Sequence, residues 1–257
     1  MVVAAIVVVA VLGAFGDRQG LRIPLRECVW SARSQSSHSW YNHQMTREEL
    51  DRGLRTNLEA LSGIAALSGA RMLLMHGGLI GYHWNKHMLP WDDDIDVSVL
   101  EQDTQKLLSW TRLHPKVPPL SHWIPENGRD DLEYQEFYMI SDKFYMYYDS
   151  NPRHHIEMRL VHLETGVYTD ITFLFKRNGT YLMKANLKHL AGGHEYPERD
   201  IWPLQRCMME GVALWCPHNV ERVLAVEYTR YNSSHYKSHT FDREQKCWVR
   251  KERAYPA

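Results

Sequence analysis

Four aspartates within five consecutive positions constrain this chain more than any other feature, because so many carboxylates repel one another unless a cation lies among them. They are Asp92, Asp93, Asp94 and Asp96, in a chain whose formal net charge is only -1. From Asp94 onward polar and apolar residues alternate, which predicts a β-strand that enters a core. Side chains two residues apart share one strand face, so the carboxylates of Asp94 and Asp96 are expected about 7 Å apart. This spacing of oxygen ligands predicts a site for Mg²⁺ or Mn²⁺, with a solvated acidic loop as the alternative.

A glycine pair precedes the aspartates. Gly77 and Gly78 follow an apolar run at residues 71–75, and a helical pattern covers about residues 79–86. A strand, two glycines and a helix start leave backbone N–H groups where an anion approaches closely, so the pair predicts a phosphate site. Neither the Walker pattern nor the dinucleotide pattern GxGxxG occurs in the sequence, which excludes those two kinds of phosphate site. Lys86 is a candidate contact to the same phosphates, with an exposed helix lysine as the alternative.

A third carboxylate completes the predicted cation site. Asp170 lies in the apolar run 168–175, where it shares one strand face with Thr172. An aspartate in an apolar strand is costly to bury unless it is paired or bound to a metal. Asp170 is therefore either a third metal ligand or the partner of a nearby arginine such as Arg159.

The overall charge bears on the class of ligand. The 30 basic and 31 acidic residues balance, and no long basic run occurs. This balance argues against nucleic acid as the main ligand.

The order of these motifs resembles that of a known family. Gly-Gly, then Asp-x-Asp on a strand, then a single Asp on a later strand is typical of the nucleotidyltransferase fold. The longer stretches 77–81 and 90–97 resemble the LicD family, which includes bacterial phosphocholine transferases and fukutin-type proteins. The resemblance runs from Arg71 to Tyr228. Matching segments further along the chain are 201–204, 210–212, 216–224 and 227–228.

Within that family, segments 82–85 and 159–172 look most like fungal members associated with mannosylphosphate addition to glycans. Two positions depart from the family patterns. Trp84 stands where bacterial members usually carry arginine, and His162 stands where fungal members often carry aspartate. Both departures bear on the identity of the donor more than on the metal site.

The resemblance implies a fold and a reaction. The fold is α+β, a nucleotidyltransferase-like mixed β-sheet flanked by helices, with an N-terminal apolar segment. The reaction moves a phospho-substituent, mannose phosphate in the favoured case, from a nucleotide-diphosphate donor to a glycan hydroxyl. GDP-mannose is the favoured donor, and a CDP-linked donor of phosphocholine or a polyol phosphate is the alternative. The implied partners are thus the donor and the glycan acceptor, without nucleic acid.

The resemblance also assigns residues to roles. The implied catalytic and metal-binding residues are Asp94, Asp96 and Asp170, and the implied ion is Mg²⁺ or Mn²⁺. For Asp170, ligation of the metal and acceptance of the hydroxyl proton both stay open. The implied donor-phosphate contacts are Gly77, Gly78 and Lys86.

Two other classes of function remain as alternatives. One is a non-catalytic regulator or subunit that keeps the fold and assists another glycan phosphotransferase. The other is a nucleotidyltransferase that acts on a small molecule or on RNA.

The N-terminus differs in kind from the rest of the chain. Residues 2–15 are almost wholly apolar, a length that suits a signal peptide better than a membrane span of about 20 residues. We therefore predict a signal peptide or signal-anchor at 1–16, a polar stem at 17–45 and the LicD-like domain at 46–257. This division predicts the secretory pathway, in the Golgi or ER lumen, with membrane attachment through the N-terminal segment as an option.

Four cysteines occur and none forms a CxxC pair, which argues against zinc ribbons and thioredoxin chemistry. Cys207 and Cys216 flank the turn around Glu210 and Gly211. The two cysteines either form a disulfide across that turn or remain buried thiols.

Helix signals are clear at two places. The sequence 46–49 forms a capping box that predicts a helix to about Leu67, with leucines at helical spacing facing the sheet,. A last helix is predicted from about Pro217 to about Tyr228, because proline suits the first turn of a helix,.

Overall fold

The fold is α+β, as the sequence predicts, and it is described here from a computed structural model. The structure describes residues 45–118, 134–151, 154–184, 193–228, 235–236 and 239–250. The predicted N-terminal segment and stem lie outside these ranges, apart from residue 45. In the part of the chain that is described, no helix is long and apolar enough to span a membrane.

Five helices lie in the described ranges. They are α1 (Arg47–Ser68), α2 (His76–Asn85), α3 (Glu101–Thr111), α4 (Glu198–Ile201) and α5 (Val220–Glu227).

The described strands form two sheets. The large sheet contains β1 (Met72–Leu74), β2 (Ile95–Leu100), β3 (Gln135–Met139), β4 (Phe144–Asp149), β5 (Met158–His162), β6 (Tyr168–Arg177), β7 (Thr180–Met183), β8 (Glu195–Pro197), β9 (Gln205–Met209) and β10 (Val212–Cys216). The small sheet contains β11 (His235–Tyr236), β12 (His239–Asp242) and β13 (Cys247–Arg250).

The large sheet is mixed. Its strands follow the order β3-β4-β5-β6-β2-β1-β10-β9, and β7 pairs with both β6 and β8. The pairs β2–β6 and β1–β10 are parallel, whereas β1 and β2 are antiparallel. The parallel pairing of β2 with β6 sets two segments that are far apart in sequence side by side at the centre of the sheet.

The first helix forms as predicted. The Thr46 side chain accepts a hydrogen bond from the Glu49 N–H, and the Glu49 carboxylate accepts one from the Thr46 N–H. The four leucines at helical spacing are fully buried; they are Leu50, Leu54, Leu58 and Leu61. Gly69 ends the helix with φ of 71°, in the left-handed region that glycine adopts without strain.

Helix α2 begins three residues earlier than the sequence pattern predicts. The helix begins at His76, so Gly77 and Gly78 lie in its first turn and not in a loop before it. Their low helix propensity hid this turn from a pattern-based prediction. The buried residues Leu79, Ile80 and Gly81 then hold the helix in place by tertiary packing,.

The last helix starts two to three residues later than predicted. The Asn219 side chain accepts a hydrogen bond from the Arg222 N–H and caps a helix that begins at Val220. Asparagine satisfies an otherwise unpaired N–H group at this end, which proline does not do. Pro217 therefore belongs to the connection that precedes α5.

Of the two alternatives for Cys207 and Cys216, the structure shows the disulfide. A disulfide joins Cys207 of β9 to Cys216 of β10, with 5.9 Å between their Cα atoms. Leu214 is the direct partner of Cys207 in this antiparallel ladder, so the disulfide links the two strands diagonally.

Candidate metal centre

Three carboxylates meet where β2 and β6 run side by side. Asp94 directly precedes β2, Asp96 is its second residue, and Asp170 lies opposite Asp96 in the parallel register. One oxygen from each carboxylate lies within 4.8 Å of the other two. The predicted convergence of these aspartates is therefore what the backbone pairing produces.

The opposite face of β2 explains why the carboxylates point where they do. Ile95, Val97 and Val99 are at most 2% exposed and form part of the core. Because side chains alternate along a strand, burial of these three turns the aspartates to the other face. The next polar pair along that face is closed by a hydrogen bond of 2.7 Å between the hydroxyls of Ser98 and Thr172.

Burial and mutual repulsion disfavour ionisation of the carboxyl groups in this cluster. Burial, with added repulsion from Asp96 and Asp170, raises the pKa of Asp94 to about 9. Burial also raises the pKa of Asp96 to about 7, and repulsion from Asp170 adds to this although the nearby His76 opposes it. A divalent cation bound between such groups favours their ionised forms and lowers their pKa values.

Arg159 pairs with the third carboxylate from the side of β5. Its Nε donates to Asp170 Oδ1 at 2.5 Å and its Nη2 donates to Oδ2 at 3.4 Å. Arg159 and Asp170 are direct partners across the antiparallel β5–β6 ladder. The predicted pairing of Asp170 with Arg159 is thus confirmed, and because Asp170 also lies beside the other aspartates, its role as a third metal ligand stays a prediction.

We predict that Arg159→Met lowers the free energy of unfolding of the metal-free protein by about 3 kcal/mol, because it leaves the Asp170 charge buried without its partner. Urea unfolding in EDTA measures the change. The matched control is Arg177→Met, since Arg177 pairs with Glu101 where both side chains are more than 40% exposed and such pairs contribute about 0.5 kcal/mol. Adding Asp170→Asn to Arg159→Met should recover most of the lost stability. Equally small losses of stability in Arg159→Met and Arg177→Met would contradict the prediction.

The first turn of α2 lies against the strand that carries Asp96. The Met75 N–H donates to the Asp96 carbonyl at 3.2 Å, and a Cβ built on Gly78 would lie 3.6 Å from that same oxygen. Met75 provides no side-chain cap for the helix. The first N–H groups of a helix have no partner within it, so this turn is suited to bind an anion beside the aspartates.

Sequence reasoning missed one group at this helix start. His76 is the first residue of α2, has φ of 47°, and its Nδ1 lies 3.3 Å from Glu227 Oε1. The Tyr196 hydroxyl donates to the same carboxylate oxygen at 2.8 Å. Burial disfavours the charged imidazole, but the charge and hydrogen bond of Glu227, helped by Asp96, raise the pKa of His76 to about 9.

A signal for this group was available in the sequence. His76 directly precedes the glycine pair, and Glu227 lies in the last matching segment of the family resemblance. What the sequence did not indicate is that α5 packs beside the start of α2.

The structure does not bring Lys86 to the glycine pair. Lys86 follows the last residue of α2, so about nine residues, or roughly 13 Å of helix, separate it from Gly77,. Its ammonium lies 3.6 Å from the centre of the Tyr82 ring. A phosphate contact for Lys86 stays a prediction.

Glu210 has a structural role, the one that a glutamate beside a glycine turn suggests by default. Its Oε1 accepts from the Met88 N–H at 2.9 Å and its Oε2 lies 3.1 Å from His87 Nδ1. The Glu210 N–H in turn donates to the Lys86 carbonyl. The turn between β9 and β10 therefore supports the loop that leads from α2 to the aspartates.

The donor set fits a hard divalent cation. Three carboxylate oxygens converge, two of the groups have raised pKa values, and no histidine or cysteine joins them within the described residues. Oxygen-only ligand sets suit Mg²⁺ and Mn²⁺, which keep further positions for phosphate oxygens and water.

Comparison with known proteins adds two findings. A family model described as "LicD/FKTN/FKRP, nucleotidyltransferase domain" matches residues 69–219, more than half of the chain. Over 128 residues, half of this chain, the sequence is 27% identical to Mannosyltransferase regulator 4 of Saccharomyces cerevisiae, and the match covers only 10% of that protein. The first match includes the glycine pair and all three carboxylates, and the second accords with the predicted similarity to fungal members.

Proposed function

This chain belongs to the LicD family of nucleotidyltransferase domains, and on that premise we propose that it is a metal-dependent transferase of substituted phosphate groups. It moves a phospho-substituent from a nucleotide-diphosphate donor to a glycan hydroxyl, with mannose phosphate from GDP-mannose as the favoured case. The observation that carries the proposal is the convergence of Asp94, Asp96 and Asp170 within 4.8 Å beside the first turn of α2.

The proposal gives each group a task. Asp94 and Asp96, with Asp170 as the third candidate ligand, would hold Mg²⁺ or Mn²⁺, which when bound would offset the negative charge of the donor diphosphate,. The backbone N–H groups of Gly77 and Gly78 bind donor phosphate oxygens, because they lie in the first turn of a helix whose N-cap residue, Met75, provides no side-chain cap,.

The remaining groups act on orientation and on the acceptor. Arg159 fixes the orientation of Asp170 through two hydrogen bonds. The Asp170 carboxylate either binds the ion or accepts the proton of the attacking hydroxyl, and both tasks need the orientation that Arg159 provides.

A turnover assay tests the proposal. The full chain is incubated with Mn²⁺, a mixed glycan acceptor and, separately, GDP-mannose, CDP-choline or CDP-ribitol, and released nucleoside monophosphate is measured. Release of GMP alone, lost in Asp94→Asn, is the expected result. Release of CMP would move the transferred group to phosphocholine or a polyol phosphate, and no release from any donor by a folded, metal-loaded sample would overturn the proposal.

A regulatory role is the second candidate, because the yeast relative is named a mannosyltransferase regulator. The matched part of this chain covers about a tenth of that relative's length. Buried carboxylates that repel one another support catalysis over a scaffold role, since a scaffold gains nothing from their destabilising repulsion. Binding of a nucleotide sugar without turnover, with co-purification of an active transferase, would favour the regulatory role.

For location we propose the lumen of the secretory pathway. The Cys207–Cys216 disulfide supports this, because such bonds persist in oxidising compartments,. Protease protection in sealed microsomes tests it, and digestion of the tagged protein without detergent would contradict it.

A further inference from the structure

The turn that leads into the metal ligands is held by a residue of α1. Residues 89–92 form this turn, in which the Asp92 N–H donates to the Leu89 carbonyl at 3.2 Å. Arg47 donates from Nη1 to the Asp92 carbonyl at 3.1 Å and from Nη2 to the Leu89 carbonyl at 3.2 Å. One guanidinium group therefore binds the first and the last carbonyl of the turn.

Arg47 is itself fixed in position. Its Nη2 lies 2.8 Å from Asp51 Oδ1, one helical turn along α1, and the arginine side chain is only 13% exposed. The planar guanidinium binds two oxygens at once, which an ammonium group does not do. Arg47 thus connects a rigid helix to the turn with little freedom of its own.

The small sheet holds the same turn from another side. The Trp91 ring stacks on His239 with 4.0 Å between ring centres, and it meets Trp248 edge-on at 5.1 Å. Trp248 is fully buried. Arg47, His239 and Trp248 all lie outside residues 69–219, the part that the family model matches.

The position of this turn matters because the first metal ligand lies just beyond it. Asp94 comes two residues after the Asp92 carbonyl that Arg47 binds, and no strand pairing fixes Asp94, since β2 begins at Ile95. Repulsion from Asp92, Asp93 and Asp96 acts on Asp94. On its N-terminal side this segment is supported by the turn at 89–92, whose first and last carbonyls both accept hydrogen bonds from the Arg47 guanidinium.

We propose that Arg47 is a positioning residue for the metal centre: it fixes the turn at 89–92 and thereby the direction of the Asp94 carboxylate. This inference rests on the proposed function in so far as Asp94 is a metal ligand. Removal of groups that orient metal ligands typically weakens metal affinity about 10- to 100-fold.

The test is a Mn²⁺ titration of the full chain followed by electron paramagnetic resonance, with urea unfolding of each metal-free variant alongside. Arg47→Met should raise the Kd for Mn²⁺ at least about 10-fold, and Arg47→Lys should recover part of the affinity. The matched control is Arg55→Met, because Arg55 pairs with Glu59 on the same helix at the same i,i+4 spacing. A lower stability of Arg47→Met with an unchanged Kd would overturn the inference, since it would make Arg47 structural only.

A second measurement separates this inference from the proposed function. Hydrogen exchange of the metal-free protein is followed in the peptide that covers residues 89–96. Arg47→Met should speed exchange of the Asp92 amide at least about 10-fold while Arg55→Met leaves it unchanged, because only the first variant frees the turn. If the wild type bound no Mn²⁺, the proposed function would fail, but the exchange result would still decide whether Arg47 holds the turn. Unchanged exchange in Arg47→Met would overturn the inference.

Discussion

Replacing Asp96 with asparagine is expected to lower the turnover number about 10³-fold or more, which corresponds to about 4 kcal/mol of transition-state stabilisation. Asparagine has the shape of aspartate without its charge, so it removes one of the three proposed metal-binding carboxylates and leaves the strand intact. Asp96 lies directly opposite Asp170 in the sheet, and its carboxylate is one of the three that lie within 4.8 Å of one another. The measurement is Mn²⁺-dependent release of nucleoside monophosphate under saturating donor.

The same substitution is expected to make the metal-free protein more stable. It removes one of three carboxylates that repel one another, so the unfolding midpoint in EDTA should rise although activity is lost. Asp94→Asn should behave in the same way. Asp93→Asn is the control, since Asp93 is outside the three-carboxylate cluster, and it should keep activity within about threefold. Full turnover in both Asp94→Asn and Asp96→Asn would show that this cluster is not the metal site.

Metal-free protein is expected to lose several kcal/mol of stability as the pH rises from about 5 to about 9, and Mn²⁺ should restore it. The direction of this change in stability follows from the number of protons that the folded and unfolded states bind. Burial raises the pKa of Asp96 to about 7 and of Asp94 to about 9, whereas both titrate near 4 in an unfolded chain. Between these values the folded protein binds more protons than the unfolded chain, so stability falls with rising pH.

The histidine beside the site acts in the same direction. Burial lowers the pKa of His76, but the charge of Glu227 and its hydrogen bond to the ring outweigh this and raise the pKa to about 9. Stability from this ion pair is fully present below the unfolded value of about 6.5 and is lost as the pH passes about 9. As the pH rises, the loss of stability from His76 therefore adds to the loss from Asp94 and Asp96.

Urea unfolding at pH 5.5, 7 and 8.5, with EDTA or with Mn²⁺, measures this pH dependence. The double variant Asp94→Asn with Asp96→Asn is the control; its stability should change less with pH because the two shifted carboxyl groups are gone, while the contribution of His76 remains. Stability that stays level or rises with pH in the metal-free wild type would contradict the prediction.

Local sequence signals determined much of this protein. The capping box at Thr46 and Glu49 set the start of α1, because its hydrogen bonds involve residues only three apart,. The alternation after Asp94 placed Asp94 and Asp96 on one face of β2, because strand geometry repeats every two residues,. The Gly-Gly and Asp-x-Asp motifs were specific enough to predict the family that the comparison then showed.

Local signals failed where packing outweighed propensity. Glycines disfavour helix, so the sequence pattern places Gly77 and Gly78 before the helix, yet they form the first turn of α2. The burial of Leu79 and Ile80 against the core offsets that cost,.

The site as a whole was decided by tertiary structure. Asp170 meets Asp96 only because β6 pairs in parallel with β2 in one register, and a shift of one residue would turn Asp170 to the opposite face,. The contacts of Glu227 with His76 and of Arg47 with the turn at 89–92 likewise join segments that are far apart in sequence. Sequence patterns report the conformation of neighbouring residues, which is why they indicated the chemistry of the carboxylates. The pairing of distant segments depends on how the whole core packs, so the residues that orient those carboxylates appeared only in the folded structure.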